Sequence, residues 1–81
     1  MSKIVKETGY RELSHIVQTK DGKRYLVDSN NTFDVGYETM VFLCGKWNEL
    51  FVKRYQSEKA MRKMHYKICG SLESLLERSK A

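Results

Sequence analysis

The fold is decided by residues 36–55, which read GYETMVFLCGKWNELFVKRY. Two β-prone runs flank Gly45-Lys46, and a glycine at such a point is typical of a hairpin turn. The loop is predicted to be either Gly45-Lys46 or the four residues 45–48. These two registers differ by two residues, so they leave each side chain on the same face of the hairpin.

Both faces of this hairpin are predicted to be apolar. One face carries Thr39, Val41, Leu43, Leu50 and Val52, and the other carries Met40, Phe42, Cys44 and Phe51. An antiparallel sheet that is covered on one side alternates apolar and polar residues. The second face therefore needs a cover, which is either the N-terminal segment, a second copy of the chain or another partner.

An earlier hairpin is predicted at Asp21-Gly22, because this dipeptide between two β-prone runs favours a two-residue turn. If Lys20 faces Lys23, the register places His15 opposite Asp28. The polar residues 29–32, which read SNNT, are then predicted to form a turn between the two hairpins.

A C-terminal helix is predicted over residues 57–79, with Ser57 as its N-cap and Glu58 at the positive end of the helix dipole. Its apolar positions recur at helical spacing: Ala60, Met61, Met64, Ile68, Leu72, Leu75 and Leu76. The stripe stays in phase across Gly70, which favours one helix of about 33 Å. Since a strand spans only about 20 Å, the alternatives are a break at Gly70 or packing of the helix end on another chain.

The predicted fold class is α+β: an antiparallel β-sheet of about four strands in two hairpins, followed by a long C-terminal α-helix. A single domain spans residues 1–81, with an N-terminal segment (1–12), a first hairpin (13–28), a second hairpin (36–55) and the helix (57–79). The chain is 41% hydrophobic and 31% charged, as in a soluble globular protein. No signal peptide or membrane span is recognised, so an intracellular location is expected.

The net charge of +5 lies entirely in residues 46–67, where seven basic residues stand against Glu49 and Glu58. Aromatic residues alternate with the basic ones, a combination that suits an anionic partner or single-stranded nucleic acid. The predicted binding residues are Lys46, Trp47, Phe51, Lys53, Arg54, Tyr55, Lys59, Arg62, Lys63, Tyr66 and Lys67.

No catalytic motif is recognised, because the chain has no nucleophile elbow and no glycine-rich phosphate loop. The protein is therefore predicted not to be an enzyme, and no cofactor or metal is predicted. His65 and Cys69 are four residues apart on the predicted helix, and Cys44 and His15 nominally complete a Cys2His2 set. Without a CxxC or HxxxH pair, a packed histidine and a buried thiol are the favoured interpretation.

A family resemblance rests on residues 36–42 (GYETMVF), residues 47–50 (WNEL), Arg54-Tyr55, Ser57-Glu58, Ala60 and His65. This pattern, over about 30 residues, resembles a family of small proteins encoded by phages and prophages of Gram-positive bacteria. The resemblance implies a phage origin and a compact strand-strand-helix unit, with no catalytic residues. The chain departs from the pattern in its short Gly45-Lys46 loop and in a basic helix where relatives are often acidic.

The resemblance implies a small phage accessory protein that binds a host protein in the host cytoplasm. The leading hypothesis is an inhibitor of a host defence factor, of the anti-CRISPR or another anti-defence type. The small chain and its two apolar sheet faces favour a homodimer. The alternative is a nucleic-acid-binding phage protein that uses the basic segment 46–67 on phosphates.

Overall fold

A computed structural model of the protein describes residues 2–9, 13–32, 34 and 36–79. These residues form one antiparallel sheet in which each strand pairs with its neighbour in sequence. The strands are β1 (Lys3–Glu7), β2 (Leu13–Gln18), β3 (Arg24–Thr32), β4 (Gly36–Leu43) and β5 (Glu49–Tyr55). Two helices, α1 (Glu58–Gly70) and α2 (Leu72–Ser79), follow the sheet.

The prediction of four strands and one long helix is wrong, because the sheet has five strands and two shorter helices follow it. The missed strand, β1, lies in the predicted N-terminal segment and pairs with β2. All five of its residues are exposed, so it has no buried face that would produce an apolar pattern. Residues 29–32 are not a turn either, since β3 continues through Thr32 and pairs with β4 to its end.

The first hairpin turns at Asp21-Gly22, but its register is one residue away from the predicted one. Gln18 pairs with Arg24, and His15 pairs with Val27 instead of Asp28. Gly22 has a positive φ of 88°, whereas no described non-glycine residue has a positive φ. A two-residue type I′ turn needs positive φ at both central positions, so Asp21 is accommodated in a longer loop. The odd shift puts His15 and Asp28 on opposite faces of the sheet.

The second hairpin differs from its prediction in the same way. Val41 pairs with Phe51 and Met40 pairs with Val52, and a bulge follows Val41. The loop between β4 and β5 contains Gly45 at a φ of 89°. Phe51 therefore shares a face with Val41, and Val52 with Met40, opposite to the predicted assignment. Both faces of the hairpin remain apolar.

The core lies between one face of the sheet and the two helices. It consists of buried side chains from three strands and both helices: Val17, Tyr25, Val27, Val41, Ile68, Cys69 and Leu72. Leu43, Phe51, Leu75 and Leu76 pack around it. We call this side of the sheet the helix face and the opposite side the open face.

The helix α1 begins as predicted, because the Ser57 side chain accepts a hydrogen bond from the Ala60 backbone N–H at 3.2 Å. It ends at Gly70, and Ser71, with φ −135° and ψ 32°, interrupts the helical path. The break turns α2 back toward the sheet, where the Lys20 N–H donates to Glu73 Oε2 at 2.6 Å. Within the described ranges, neither helix is long and apolar enough to cross a bilayer.

The Ser2 side chain joins the two helices at this break. Its buried hydroxyl donates to the Cys69 carbonyl at 2.6 Å and accepts from the Leu72 N–H at 2.9 Å. Both backbone groups are helix-end groups that have no partner within an ideal helix. Ser2, which precedes β1, thus stabilises the junction between α1 and α2.

We expect Ser2→Ala to lower the free energy of unfolding by about 2 kcal/mol, because it leaves these two backbone groups without their buried partner. Urea unfolding followed by circular dichroism measures the change. The matched control is Ser71→Ala, whose hydroxyl donates to the Lys67 carbonyl on the exposed side of the helix. The control should cost about 0.5 kcal/mol or less, and equal losses would contradict the role of Ser2.

Candidate functional site

The open face of the sheet carries an apolar groove that neither helix covers. Two adjacent cross-strand rows form it, one through Ile16, Leu26 and Phe42 and the other through Ser14, Asp28 and Met40. Trp47, from the loop between β4 and β5, closes one end. We call this hollow, with a volume of about 470 Å³, the open-face groove.

Two polar side chains lie between the apolar ones in the groove. Ser14 has no exposed surface, and its hydroxyl has no hydrogen-bond partner among the described residues. Asp28 is also buried, at 6% exposure. Mainly apolar walls with a small number of polar groups are typical of binding sites.

Trp47 is the most exposed large hydrophobic residue described, at 85%. Its ring meets the buried Phe42 ring edge-on, with centroids 6.4 Å apart. A second hollow of about 200 Å³ shares Phe42 and Trp47 with the groove and continues past Lys46. The Trp47 ring thus contacts Phe42, while most of its surface is exposed and free to contact a partner.

Charged side chains of both signs lie around the groove, since Asp28 lines it and the exposed Glu49 pairs with Phe42. Arg24 is exposed beside Gln18, to which its Nε donates at 3.3 Å, and Lys46 is exposed next to Trp47. On the other side, the Arg54 side chain is 63% exposed and its Nε lies 3.6 Å from the buried Glu38 carboxylate. The exposed basic side chains suit acidic groups on a partner surface.

The predicted binding residues are divided between separate parts of the surface. Lys46, Trp47 and Arg54 belong to the open face, whereas Phe51 and Tyr55 are half-buried on the helix face. Lys53 is exposed on the edge strand β5. The structure therefore does not bring Trp47, Phe51 and Tyr55 together into one aromatic surface.

The helical part of the predicted surface forms a basic stripe on the outer side of α1. Lys59, Lys63 and Lys67 are exposed, are spaced four residues apart and make no ion pair with a described residue. The exposed Tyr66 lies beside this stripe, at 52% exposure. Arg62 instead pairs with Glu58, its Nε lying 2.9 Å from Oε2. The stripe and the open-face groove lie on opposite sides of the sheet.

A chain of polar side chains, which we call the histidine cluster, is buried under α1. Nε2 of His65 lies 2.8 Å from Nδ1 of His15, and Nδ1 of His65 lies 2.7 Å from the Ser29 hydroxyl. That hydroxyl also bonds the Thr39 hydroxyl at 2.6 Å. The donor atoms of His15, His65 and Cys69 all lie within 4.8 Å of one another. Three of the four nominal Cys2His2 residues thus meet, while Cys44 is exposed elsewhere.

Burial controls the protonation of the histidine cluster. It lowers the pKa of His65 to about 4, and the neighbouring His15 adds to this effect. It also raises the pKa of the Cys69 thiol to about 12. Near neutral pH the cluster therefore contains a neutral His65 imidazole and a protonated Cys69 thiol.

Several of these residues were missed by sequence reasoning. Ile16 and Leu26 are ordinary strand residues, and Ser29 and Thr39 carry no motif. The one available signal for the groove was the apolar character of both hairpin faces. Comparisons with family models, with curated proteins and with solved structures find nothing that matches this chain.

Proposed function

We propose that the protein acts by binding another protein through the open-face groove, and that its target is a host defence factor in the host cytoplasm. The observation that carries this proposal is the uncovered apolar strip of Ile16, Leu26, Met40, Phe42 and Trp47. A mainly apolar hollow with a few polar groups is a common form of binding site.

The charge around the groove defines the chemistry of the partner. Arg24, Lys46 and Arg54 are the exposed basic residues at the margin of the strip, and Glu49 is an exposed acidic residue beside Phe42. A partner with an apolar centre and an acidic margin complements this surface. Trp47 is the expected anchor, since tryptophan dominates binding energy when it is buried in an interface.

The resemblance of residues 36–65 to small phage proteins supports a host target. A phage accessory protein without catalytic groups acts by occupying a surface that its target needs. The proposed inhibitor therefore blocks a defence effector sterically, with no chemical step of its own.

Binding of nucleic acid is the second candidate function, and the basic stripe favours it. Lys59, Lys63 and Lys67 lie on one side of α1 beside the exposed Tyr66, so phosphates and a stacked base would meet the same surface. The stripe supports a function less strongly than the groove does, because exposed lysines are common on the outer side of a helix.

We expect Trp47→Ala to abolish protection of phage in host cells that carry the targeted defence system. Protection is measured as the efficiency of plaque formation across a panel of defence systems. Affinity for the purified effector should fall about 30-fold, as for a central interface residue. Since Trp47 is the one tryptophan of the chain, its fluorescence should shift to shorter wavelength when the effector covers it.

The matched control replaces Lys59, Lys63 and Lys67 together with alanine, and it should retain protection. If this control loses protection while Trp47→Ala keeps it, the basic stripe is the functional surface and the groove proposal is wrong. If Trp47→Ala only converts a dimer into a monomer, measured by light scattering, the groove binds a second copy instead. If the wild type protects against no system in the panel, the defence target is rejected.

A further inference from the structure

The histidine cluster brings three metal-binding side chains together from two elements of the fold. His65 and Cys69 are one turn apart on α1, and His15 reaches them from β2. Their donor atoms lie within 4.8 Å of one another and all three residues are buried. Two imidazoles and a thiol thus converge at the side of the core where Cys69 packs among apolar side chains.

The contact between the two histidines constrains what lies between them. Nδ1 of His15 and Nε2 of His65 are 2.8 Å apart, so one nitrogen must carry a proton that the other accepts. A metal ion can take the place of this proton. Two nitrogens bound to tetrahedral zinc, each at about 2.0 Å, lie about 3.3 Å apart, so the rings need to separate by only about 0.5 Å.

We infer that His15, His65 and Cys69 form a binding site for a zinc-class divalent ion. Imidazole nitrogen and thiolate sulfur are the donors that zinc takes in proteins, and three protein donors leave a fourth position for water. Within the described part of the chain, no other group of three such donors lies close enough together. An ion bound here would link β2 of the sheet to α1.

The surroundings of His65 orient it for this role. The Ser29 hydroxyl lies 2.7 Å from Nδ1 of His65 and is itself held by Thr39. If Nδ1–H donates to Ser29, the lone pair of Nε2 points toward His15. A metal-bound histidine is commonly fixed in this way by a hydrogen bond from its other ring nitrogen. Ser29 is therefore a positioning residue for the ion.

Binding of the ion displaces one proton. The Cys69 thiol loses its proton to solvent and its sulfur forms the bond to the ion, while the proton on Nδ1 of His15 moves to Nε2 of the same ring. The site then has one positive charge, from a divalent ion and one thiolate. The exposed Tyr66 ring lies against both histidine rings, with its centroid 5.7 Å from that of His15 and 5.2 Å from that of His65. The Tyr66 side chain therefore separates the cluster from solvent.

The test is a titration of chelator-treated protein with Co²⁺, a spectroscopic substitute for zinc. The protein is refolded from urea in the presence of Co²⁺, so that burial does not prevent entry. We expect one ion per chain, with ligand-field bands of a tetrahedral site and a thiolate-to-cobalt charge-transfer band. Zn²⁺ should displace the cobalt and raise the melting temperature.

Variants assign the ligands. Cys69→Ala should lose the charge-transfer band, whereas Cys44→Ala, at the exposed cysteine, should keep it. Ser29→Ala should bind the ion about 10- to 100-fold more weakly, because it removes the group that orients His65. If Cys69→Ala does not fold, His15→Gln replaces it and should lose stoichiometric binding.

Three spectroscopic results would overturn the site. These are a wild-type protein without a charge-transfer band, a band that survives in Cys69→Ala, and a band that disappears in Cys44→Ala. An equal rise in melting temperature with Zn²⁺ in the wild type and in Cys69→Ala would also reject it.

Discussion

The metal-free protein should lose about 2 kcal/mol of its free energy of unfolding between pH 7 and pH 5. The cause is His65, whose pKa falls from 6.5 in the unfolded chain to about 4 in the folded one. Between these values the unfolded state binds more protons than the folded state does, so stability rises with pH. The contribution is complete above pH 6.5 and is lost as the pH falls toward 4.

Urea unfolding in the presence of a chelator measures this dependence. Circular dichroism is the better probe, because Trp47 is 85% exposed in the folded state and its fluorescence changes little on unfolding. The comparison stays above pH 5, since the pKa values of Asp21 and Glu73 are lowered from 3.8 and 4.5. Those two carboxylates lose their contributions to the free energy of unfolding only at lower pH. For Asp21 the cause is chiefly the Thr19 hydroxyl, and for Glu73 it is chiefly the Lys20 N–H.

The control for the acid effect is His65→Gln, which does not titrate in this range. It should be less stable than the wild type at pH 7, and its stability should change little between pH 7 and 5. An unchanged pH dependence in this variant would show that His65 is not the titrating group. That outcome would contradict the prediction for His65.

Turn chemistry explains which parts of the sheet could be predicted. Asp21-Gly22 and Gly45 mark both hairpin turns in the sequence, and both glycines adopt the positive φ that this position needs. The loop length was not predictable from these signals. Each loop shifts the pairing by one residue, and in a strand one residue exchanges the two faces.

The edge strand was not predicted and the helix break was predicted only as an alternative, for different reasons. The strand β1 is exposed on all five residues, so apolar alternation, the main sequence signal for a strand, is absent. The break at Ser71 leaves the apolar spacing in phase, so periodicity alone favours one helix. What decides the break is tertiary packing, because turning back lets Leu75 and Leu76 pack against the core.

The candidate sites depend on these register details. The sequence shows that His65 and Cys69 are four residues apart. Which residues surround His15, however, depends on the register of the first hairpin. With the predicted register, His15 would have faced Asp28, whereas the observed one places it against His65. The basic stripe was predicted because helix periodicity alone defines it.

Leu72→Ala should lower the free energy of unfolding by about 3 kcal/mol, the usual cost of removing a buried leucine side chain. Leu72 is the first residue of α2 and has no exposed surface. It packs in the core with Val17 and Ile68. Since a domain of this size is stabilised by only about 3 to 5 kcal/mol, the variant should be largely unfolded at modest urea concentrations.

The same substitution at Leu50, which is 43% exposed, is the matched control and should cost about 0.5 kcal/mol. Urea unfolding of both variants by circular dichroism gives the comparison. If Leu72 did not pack in the core with Val17, the two substitutions would cost the same. A large difference between them therefore tests the packing of Leu72 in the core, where the first turn of α2 follows the interruption at Ser71.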